Sequence, residues 1–505
     1  MRVAGESMAN HLRTTPAALL RAGCVVLWVC VSGCGGGSAP QGSMPAPDSN
    51  APVDTTEPPP APAQLVLGTT LSIDDGASGN PVDLRVVRAT NGDGFALWLA
   101  DDGTRRNLWA NRYRAAASMW GTPINIEARD ADIDRFDLTV DASGNATVVW
   151  FEPQPAPSAS FTVMSARFEV GAGAWTTPVL LGGFEGYNLT PHATSDATGA
   201  VLATDQVVHF FDPATGAWRP EREQIPIGII SSGDINTPQG LLDGSGNAVI
   251  VFHYANIAFD SLASNYYSRS TGSWDPFPPG FEDGVFRPVP NSFVFGWIEN
   301  VQLANTPGGN FLMAWQPMED VSVAVNASIR VARHISSTRT WTPAQTLVPT
   351  NAQNDVRFQR VGTDASGNAL LLWTQTDGNR TALKAFRLAH DDFSCGPVHI
   401  VDLALGGGAA RIDLGVDPQG NAIAIWQQFE GGRPDDGSRS NIAIARFDRA
   451  AGAWAPAVLA ETEPGNAISP RASANGGKAL LGWIQSEGGV NRVKALLQPL
   501  DGASS

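Results

Sequence analysis

From residue 64 to residue 500 the apolar residues come in short runs, many of them β-branched, each introduced by the same polar turn. Asp141-Ala-Ser-Gly-Asn-Ala-Thr-Val-Val-Trp150 recurs as Asp243-Gly-Ser-Gly-Asn-Ala-Val-Ile-Val-Phe252, Asp364-Ala-Ser-Gly-Asn-Ala-Leu-Leu-Leu-Trp373 and Asp417-Pro-Gln-Gly-Asn-Ala-Ile-Ala-Ile-Trp426. Looser copies end at Trp98, Trp315 and Trp483. The intervals between these aromatics are 52, 102, 63, 58, 53 and 57 residues, and the double-length gap holds a degenerate copy, Asp196-Ala-Thr-Gly-Ala-Val-Leu-Ala-Thr204. Eight repeats of roughly 55 residues follow.

Asp-x-x-Gly-Asn is turn chemistry: the aspartate bonds its own backbone and the glycine accepts a positive φ. The apolar run after it lacks alternation, as a strand buried on both faces does. A second marker follows, an aromatic with a proline close behind: Trp120 and Pro123, Trp175 and Pro178, Trp218 and Pro220, Trp274 and Pro276, Trp341 and Pro343, Trp454 and Pro456, and more weakly Phe393 and Pro397. Between the markers lies an alternating stretch such as Ile442–Phe447. A further run precedes each turn, such as Ile412–Val416, and another follows the proline, such as Val458-Leu459. Each repeat therefore holds four strands, A to D.

Units of this size cannot bury their faces alone, and the pattern predicts an all-β chain, a single eight-bladed β-propeller of four-stranded blades spanning 64–500. A solenoid or tandem sandwiches would use the same repeats without closing a ring. The chain ends speak for closure. The eighth repeat stops after Val493–Leu497 without its Trp-Pro strand, while the domain opens with an orphan strand, Ala63–Leu67. This N-terminal strand is expected to complete the last blade and remove the free edges.

Residues 1–33 have basic residues (Arg2, Arg13, Arg21) before a short apolar run, Ala22–Val31, which is half of what a bilayer span needs. Met8 is an alternative start. The run ends in Val31-Ser32-Gly33-Cys34, which resembles the lipobox of bacterial lipoproteins; the resemblance implies that Cys34 is acylated and becomes the first residue of the mature chain. Two acyl chains hold a protein on a membrane without a span. Residues 34–63, rich in Gly, Pro, Ala and Ser, read as a lipidated disordered stalk, and 501–505 as a disordered tail. The glycine after Cys34 is similar to the pattern directed to the outer membrane in enteric lipoproteins. Only Cys34 and Cys395 remain once the signal is removed, so no intrachain disulfide is expected.

Composition changes the list of partners. A net charge of -16 and a pI near 4.8 argue against a nucleic-acid partner. The partners expected are the membrane, through the N-terminal lipid, and an envelope protein or a glycan. A Gly-x-Ser-x-Gly elbow, a phosphate loop and His-Glu-x-x-His do not occur. No cofactor and no metal site is expected, since the Asp turns lack the alternating ligands of a calcium loop; Asp130-Ala-Asp-Ile-Asp134 with Asp137 is denser but reads as a solvated loop.

The repeat aromatics, Trp98, Trp150, Phe252, Trp315, Trp373, Trp426 and Trp483, read as packing between blades. The B-to-C loops start just after them and emerge on one face, carrying Asp101, Asp102, Asp260, Glu319, Asp320, Asp377, Glu430, Asp435, Asp436 and Glu487. Two residues past the aromatic stand Glu152, Tyr254, Gln375, Gln428 and Gln485, the candidate binding face. Blade 4 adds an aromatic insertion, with Tyr266, Tyr267, Phe277, Phe281, Phe286, Phe293, Phe295 and Trp297, either an adhesive surface or a satellite core.

Asp212-Pro-Ala-Thr-Gly-Ala-Trp218 resembles the Asp-box hairpins of sialidase propellers, and also the hairpins of propeller lipoproteins that scaffold outer-membrane barrel assembly. The first resemblance implies a carbohydrate-active enzyme with an arginine triad and a Tyr and Glu pair; the second implies an assembly scaffold. The residues themselves favour a lipid-anchored, non-catalytic binding or scaffold module acting through the B-to-C loop face, with a carbohydrate-active enzyme on the same face as the alternative. A Cys34→Ser chain is expected to lose its acyl label and leave the membrane fraction. Metabolic labelling with a palmitate analogue checks this, and a label that persists would place the lipid elsewhere.

Overall fold

The computed structural model describes residues 65–501 except 128–130, 156–159, 186–188, 206, 220–222, 225–233, 256–259, 276–286, 290–296, 319–327, 349–354, 377, 391–400, 404 and 435. Cys34, the signal, the stalk and residues 502–505 lie outside the described residues. So do Asp130, Glu319, Asp320, Asp377, Asp435, Cys395, and Phe277, Phe281, Phe286, Phe293 and Phe295 of the blade 4 insertion.

Eight antiparallel sheets form the ring of an eight-bladed β-propeller, with no α-helix among the described residues. Strand A, the first of each sheet, is Asn80–Arg88, Arg135–Val140, His192–Ser195, Asp234–Leu242, Trp297–Thr306, Asp355–Thr363, Ala409–Val416 and Ala467–Asn475 in blades 1 to 8. Strand B is Gly94–Asp101, Ala146–Pro153, Val201–Thr204, Ala248–Ala255, Asn310–Met318, Ala369–Thr376, Ala422–Phe429 and Lys478–Glu487. Strand C is Arg106–Arg114, Ser160–Glu169, Val207–Asp212, Asp260–Ser268, Ile329–Ile335, Thr381–Leu388, Ser440–Asp448 and Val490–Pro499. Strand D is interrupted: in six blades a dipeptide such as Met119–Trp120 pairs with the end of strand C, and a second segment such as Ile124–Asn125 pairs further along it. Each strand A packs against the next, and that of blade 8 packs against that of blade 1, which closes the circle.

Strand B carries the core. Its residues are buried on both faces, and Trp98, Trp150, Trp315, Trp373, Trp426, Trp483 and Phe252 are each at most 1% exposed. A ring of this size buries on the order of 150–250 Å² between neighbouring sheets, which sets the spacing of the blades.

The repeated turn has a role for each of its polar residues. Asp141 Oδ1 accepts the N–H groups of Ser143 and Asn145, both at 2.9 Å, and Asp243 and Asp364 do the same in their blades. The glycine takes a φ between 78° and 91° at Gly144, Gly246, Gly367 and Gly420, a conformation with little penalty only for glycine. The asparagine then faces outward along the sheet. Asn145 Oδ1 accepts the N–H of Val170 at 2.9 Å, and Asn247, Asn310, Asn368 and Asn421 accept those of Arg269, Ser336, His390 and Arg449. The A-to-B turn is thereby tied to the C-to-D hairpin of its own blade.

The Trp-Pro marker also resolves into a pairing. Tyr113, Phe168, Phe211, Tyr267, His334 and Phe447, at the end of strand C, face Trp120, Trp175, Trp218, Trp274, Trp341 and Trp454 across the ladder. Ring centroids lie 5.2 to 5.8 Å apart, mostly edge to face. Every pair is separated by seven residues, so the hairpin is pinned by its own cross-strand contact.

Blade 8 is closed by the N-terminal segment. The ladder runs over Thr70–Ser72, paired with Leu496, Ala495 and Lys494, which is a few residues later than the expected Ala63–Leu67. The reason is Gln498, which stands where six of the other blades have the strand C aromatic. Its Nε2 donates to Val66 O at 2.8 Å and its Oε1 accepts from Gly68 N at 3.2 Å, so a side-chain amide replaces the aromatic pair and the backbone ladder begins only beyond it. Removing residues 65–73 strips these bonds and the buried Ile73. The expected loss is about 3 kcal/mol or more, in one cooperative transition of the whole ring. Calorimetry checks it, and a second transition left unmoved would describe an open array instead.

Candidate functional site

Strand A is the innermost strand, and one of its positions repeats around the axis. The residue paired with the position just before the repeat aromatic is Arg85, Asp137, His192, Gln239, Gln302, Arg360, Asp413 and Arg471 in blades 1 to 8. All eight are polar and all are half-buried. Each stands four residues before its turn, a spacing present in the sequence that turn chemistry alone does not reveal.

These residues clasp the next blade. Asp137 Oδ2 accepts Ala193 N at 2.9 Å, Gln302 Oε1 accepts Val361 N at 3.1 Å, and Asp413 Oδ2 accepts Ala472 N at 3.0 Å. In each case the donor immediately follows the equivalent residue of the neighbour. The charges alternate along the same wall: Arg360 meets Asp413 at 2.8 Å, Arg471 meets Asp83 at 3.2 Å, and Arg85 meets Asp83 at 3.0 Å and Asp137 at 3.9 Å. Arg471 Nε also donates to Leu84 O at 2.8 Å. Desolvation, with Arg85 and Arg360 nearby, brings the Arg471 guanidinium down to about 10 against the pull of Asp413 and Asp83. An exposed ion pair contributes about 0–1 kcal/mol, so the bonds from carboxylate and amide oxygens to backbone are the firmer part of this belt.

On the outer side of the sheets, beyond strand D, lie three carboxylates that motif reading misses. Asp74, Glu127 and Glu461 each sit two residues past the outer D segment of blades 8, 1 and 7, and each is at most 9% exposed. They accept the N–H groups of Val493, Leu108 and Ile442 at 3.2, 2.7 and 3.0 Å, standing in for a strand where the D ladder stops. Burial pushes all three above the ordinary carboxylate range. Glu127 is raised further by the charge of Glu152.

The residues two past the aromatic have unlike surroundings. Glu152 is buried, and its Oε1 accepts the indole N–H of Trp150 at 2.9 Å. Gln428 Oε1 accepts that of Trp426 at 2.9 Å and also Leu405 N, while its Nε2 donates to Gly408 O at 3.1 Å. Gln485 is fully buried, with neither amide atom bonded, beside the unbonded indole of Trp483. Gln375 is half-buried next to Trp373. Tyr254 lies in strand B of blade 4, with its side chain outside the described residues.

The loop carboxylates are engaged. Asp102 accepts the Thr104 hydroxyl at 2.6 Å and Thr104 N, Asn107 Nδ2 and Arg105 N at 2.8, 2.9 and 3.0 Å, and these bonds hold it far below the usual range. Asp101 accepts Gly103 N, Glu430 pairs with Arg439 at 2.5 Å, and Asp436 accepts Ser438 N and Arg433 N. Glu487 pairs with Lys494. Asp132 and Asp134 both hold Arg106, at 3.1 and 3.3 Å. Among the described residues no three His, Cys, Asp or Glu side chains gather as a metal site would require, and no helix is long and apolar enough to cross a membrane.

No family model and no curated protein matches the chain. Solved structures similar to it include polysaccharide lyase Uly1, at 10% identity over 90% of this chain and 94% of that one, with a TM-score of 0.45. The Hadza microbial sialidase Hz136 aligns at 11% identity over 86% of this chain and 69% of that one, with a TM-score of 0.42. The alpha-L-arabinanase of Penicillium chrysogenum aligns at 9% identity over 86% and 98%, with a TM-score of 0.37. Likeness this distant says nothing of activity.

The buried carboxylates set a pH dependence. Glu127 is raised above 4.5 in the folded chain and not in the unfolded one. Between those two values the folded state therefore binds more protons, and this contribution to stability is present at low pH and lost as pH rises through the raised value. Glu127→Gln is expected to flatten the fall in stability between pH 4.5 and neutrality. Denaturant midpoints across that range check it, and an unchanged slope would refute it.

Proposed function

We propose that this chain is a lipid-anchored protein of the bacterial cell envelope, held on the outer membrane by Cys34, that acts as a non-catalytic binding or scaffold module. Its B-to-C loop face presents the contact surface to an envelope protein or a glycan. The observation that carries the reading is the bracing of that face. Asp101, Asp102 and Asp436 close their own loops, while Glu430 and Glu487 hold basic neighbours. Loops stiffened in this way reach a partner with little ordering left to do, and pre-organisation is what gives a modest surface affinity. The bonds on Asp102 and Asp436 keep both carboxylates charged, so the face is acidic and suits a basic or hydroxyl-rich partner.

A second reading, cleavage of glycosidic bonds, has one observation in its favour. Burial, with a lesser contribution from the charge of Glu152, holds the Glu127 carboxyl above its ordinary range, as a general acid requires.

Cross-linking in intact cells followed by mass spectrometry tests the proposal, with Cys34→Ser as the control that stays unlipidated. Recovery of one envelope protein through loop-face residues, from the anchored chain only, is the expected result. Glycan hydrolysis that disappears in both Glu127→Gln and Glu152→Gln would overturn the non-catalytic reading.

A further inference from the structure

The seam between blades 2 and 3 departs from the rest of the ring. The repeat aromatic stands thirteen residues after the inner-ring position in six of the other blades and twelve after it in blade 8; at the corresponding place blade 3 has Asp205, thirteen residues after His192. Asp205 is buried, accepts Val207 N at 2.5 Å in a tight hairpin, and holds Nε2 of His209 at 3.3 Å. Across the seam, strand C of blade 2 presents Ser165, which is fully buried and whose hydroxyl finds no partner in the protein. Ser165 and His209 line one cleft of about 430 Å³, bordered by Trp218 and by the exposed Leu180.

Packing does not explain this arrangement. A core aromatic has been exchanged for a buried carboxylate, and an unbonded buried hydroxyl costs about 1–3 kcal/mol. Ser165 lines the cleft, and Asp205 lies behind it, holding the His209 that does. The cleft wall is amphipathic, with Trp218, Phe211 and Leu180 as well as a hydroxyl and an imidazole. At the buried wall the charges are already matched, because Arg167 is bound by Asp141 at 2.5 Å and lies over Phe211, while His209 has Asp205; Glu169 and Arg219 line the cleft from exposed positions. An ionic ligand finds no unpaired charge at that wall, and a purely apolar one leaves Ser165 unbonded. A hydroxyl-rich ring meets both demands: its C–H face packs on the Trp218 indole, and its hydroxyls donate to and accept from Ser165 and His209. The volume falls within the range of small-molecule sites and holds one or two such rings.

We propose that the cleft between blades 2 and 3 is a saccharide-binding site. Trp218 lies on the C-to-D hairpin, at the end of the blade opposite the B-to-C loops, so this inference does not rest on the loop-face reading.

The test uses the full chain carrying Cys34→Ser on an array of mono- to tetrasaccharides covering neutral, acidic and amino sugars, followed by titration calorimetry of those retained. Trp218→Ala is expected to weaken binding tenfold or more, and Ser165→Ala three- to tenfold. Thr177→Trp plugs the cleft from an exposed position; it is expected to abolish binding while leaving the melting temperature unchanged, which separates lost binding from lost folding. Failure to retain any saccharide, or equal binding by Thr177→Trp, would each overturn the proposal.

Discussion

Strand B of every blade is buried on both faces, so no blade of this chain can hold together without a neighbour on either side. The constraint falls equally on the first and last blades, and only a closed ring satisfies it for all eight. It explains why the N-terminal segment crosses to blade 8: Thr70–Ser72 covers the edge that Val490–Pro499 would otherwise expose. The inner strands follow from the same demand, since sheets pressed together at the axis bring their polar edges within bonding distance.

The polar residues of the repeat work mainly to satisfy backbone groups that this packing leaves without a ladder partner. The turn aspartate takes two N–H groups of its own turn, and the turn asparagine takes one from the C-to-D hairpin. The inner-ring carboxylates and Gln302 take one from the next blade, and Asp74, Glu127 and Glu461 take one where strand D stops. These three tiers, at the hairpin end, the axis and the outer side of the sheets, make a stiff frame. The exceptions are the places where a blade breaks the pattern.

Two blades break it in informative ways. In blade 8 Gln498 replaces an aromatic because the strand it must hold arrives from the other end of the chain, with no tryptophan to offer. In blade 3 Asp205 stands in place of the repeat aromatic and holds His209, which lines a cleft. The first exchange serves closure. The second has no counterpart in the packing of the other seven blades.

The sequence by itself determined the number of blades, the four strands in each, the burial of Trp98, Trp150, Phe252, Trp315, Trp373, Trp426 and Trp483, and the crossing of the N-terminal strand. All of these follow from periodicity and turn chemistry, which are local. Two further signals were legible and need only the right spacing: the strand C aromatic seven residues before its tryptophan, and the polar residue four before each turn. The tertiary structure alone decided what the polar residues face. Glu152 and Gln428 stand at the same place in the repeat as Gln375 and Gln485, yet the first two bond an indole and the last is bonded to nothing. Ser165 and His209 are unremarkable in sequence and share a cleft because two strands C from different blades come together. Contacts between blades join residues from about 27 to more than 400 positions apart, and no periodicity within one repeat encodes which side chain will meet which across a seam.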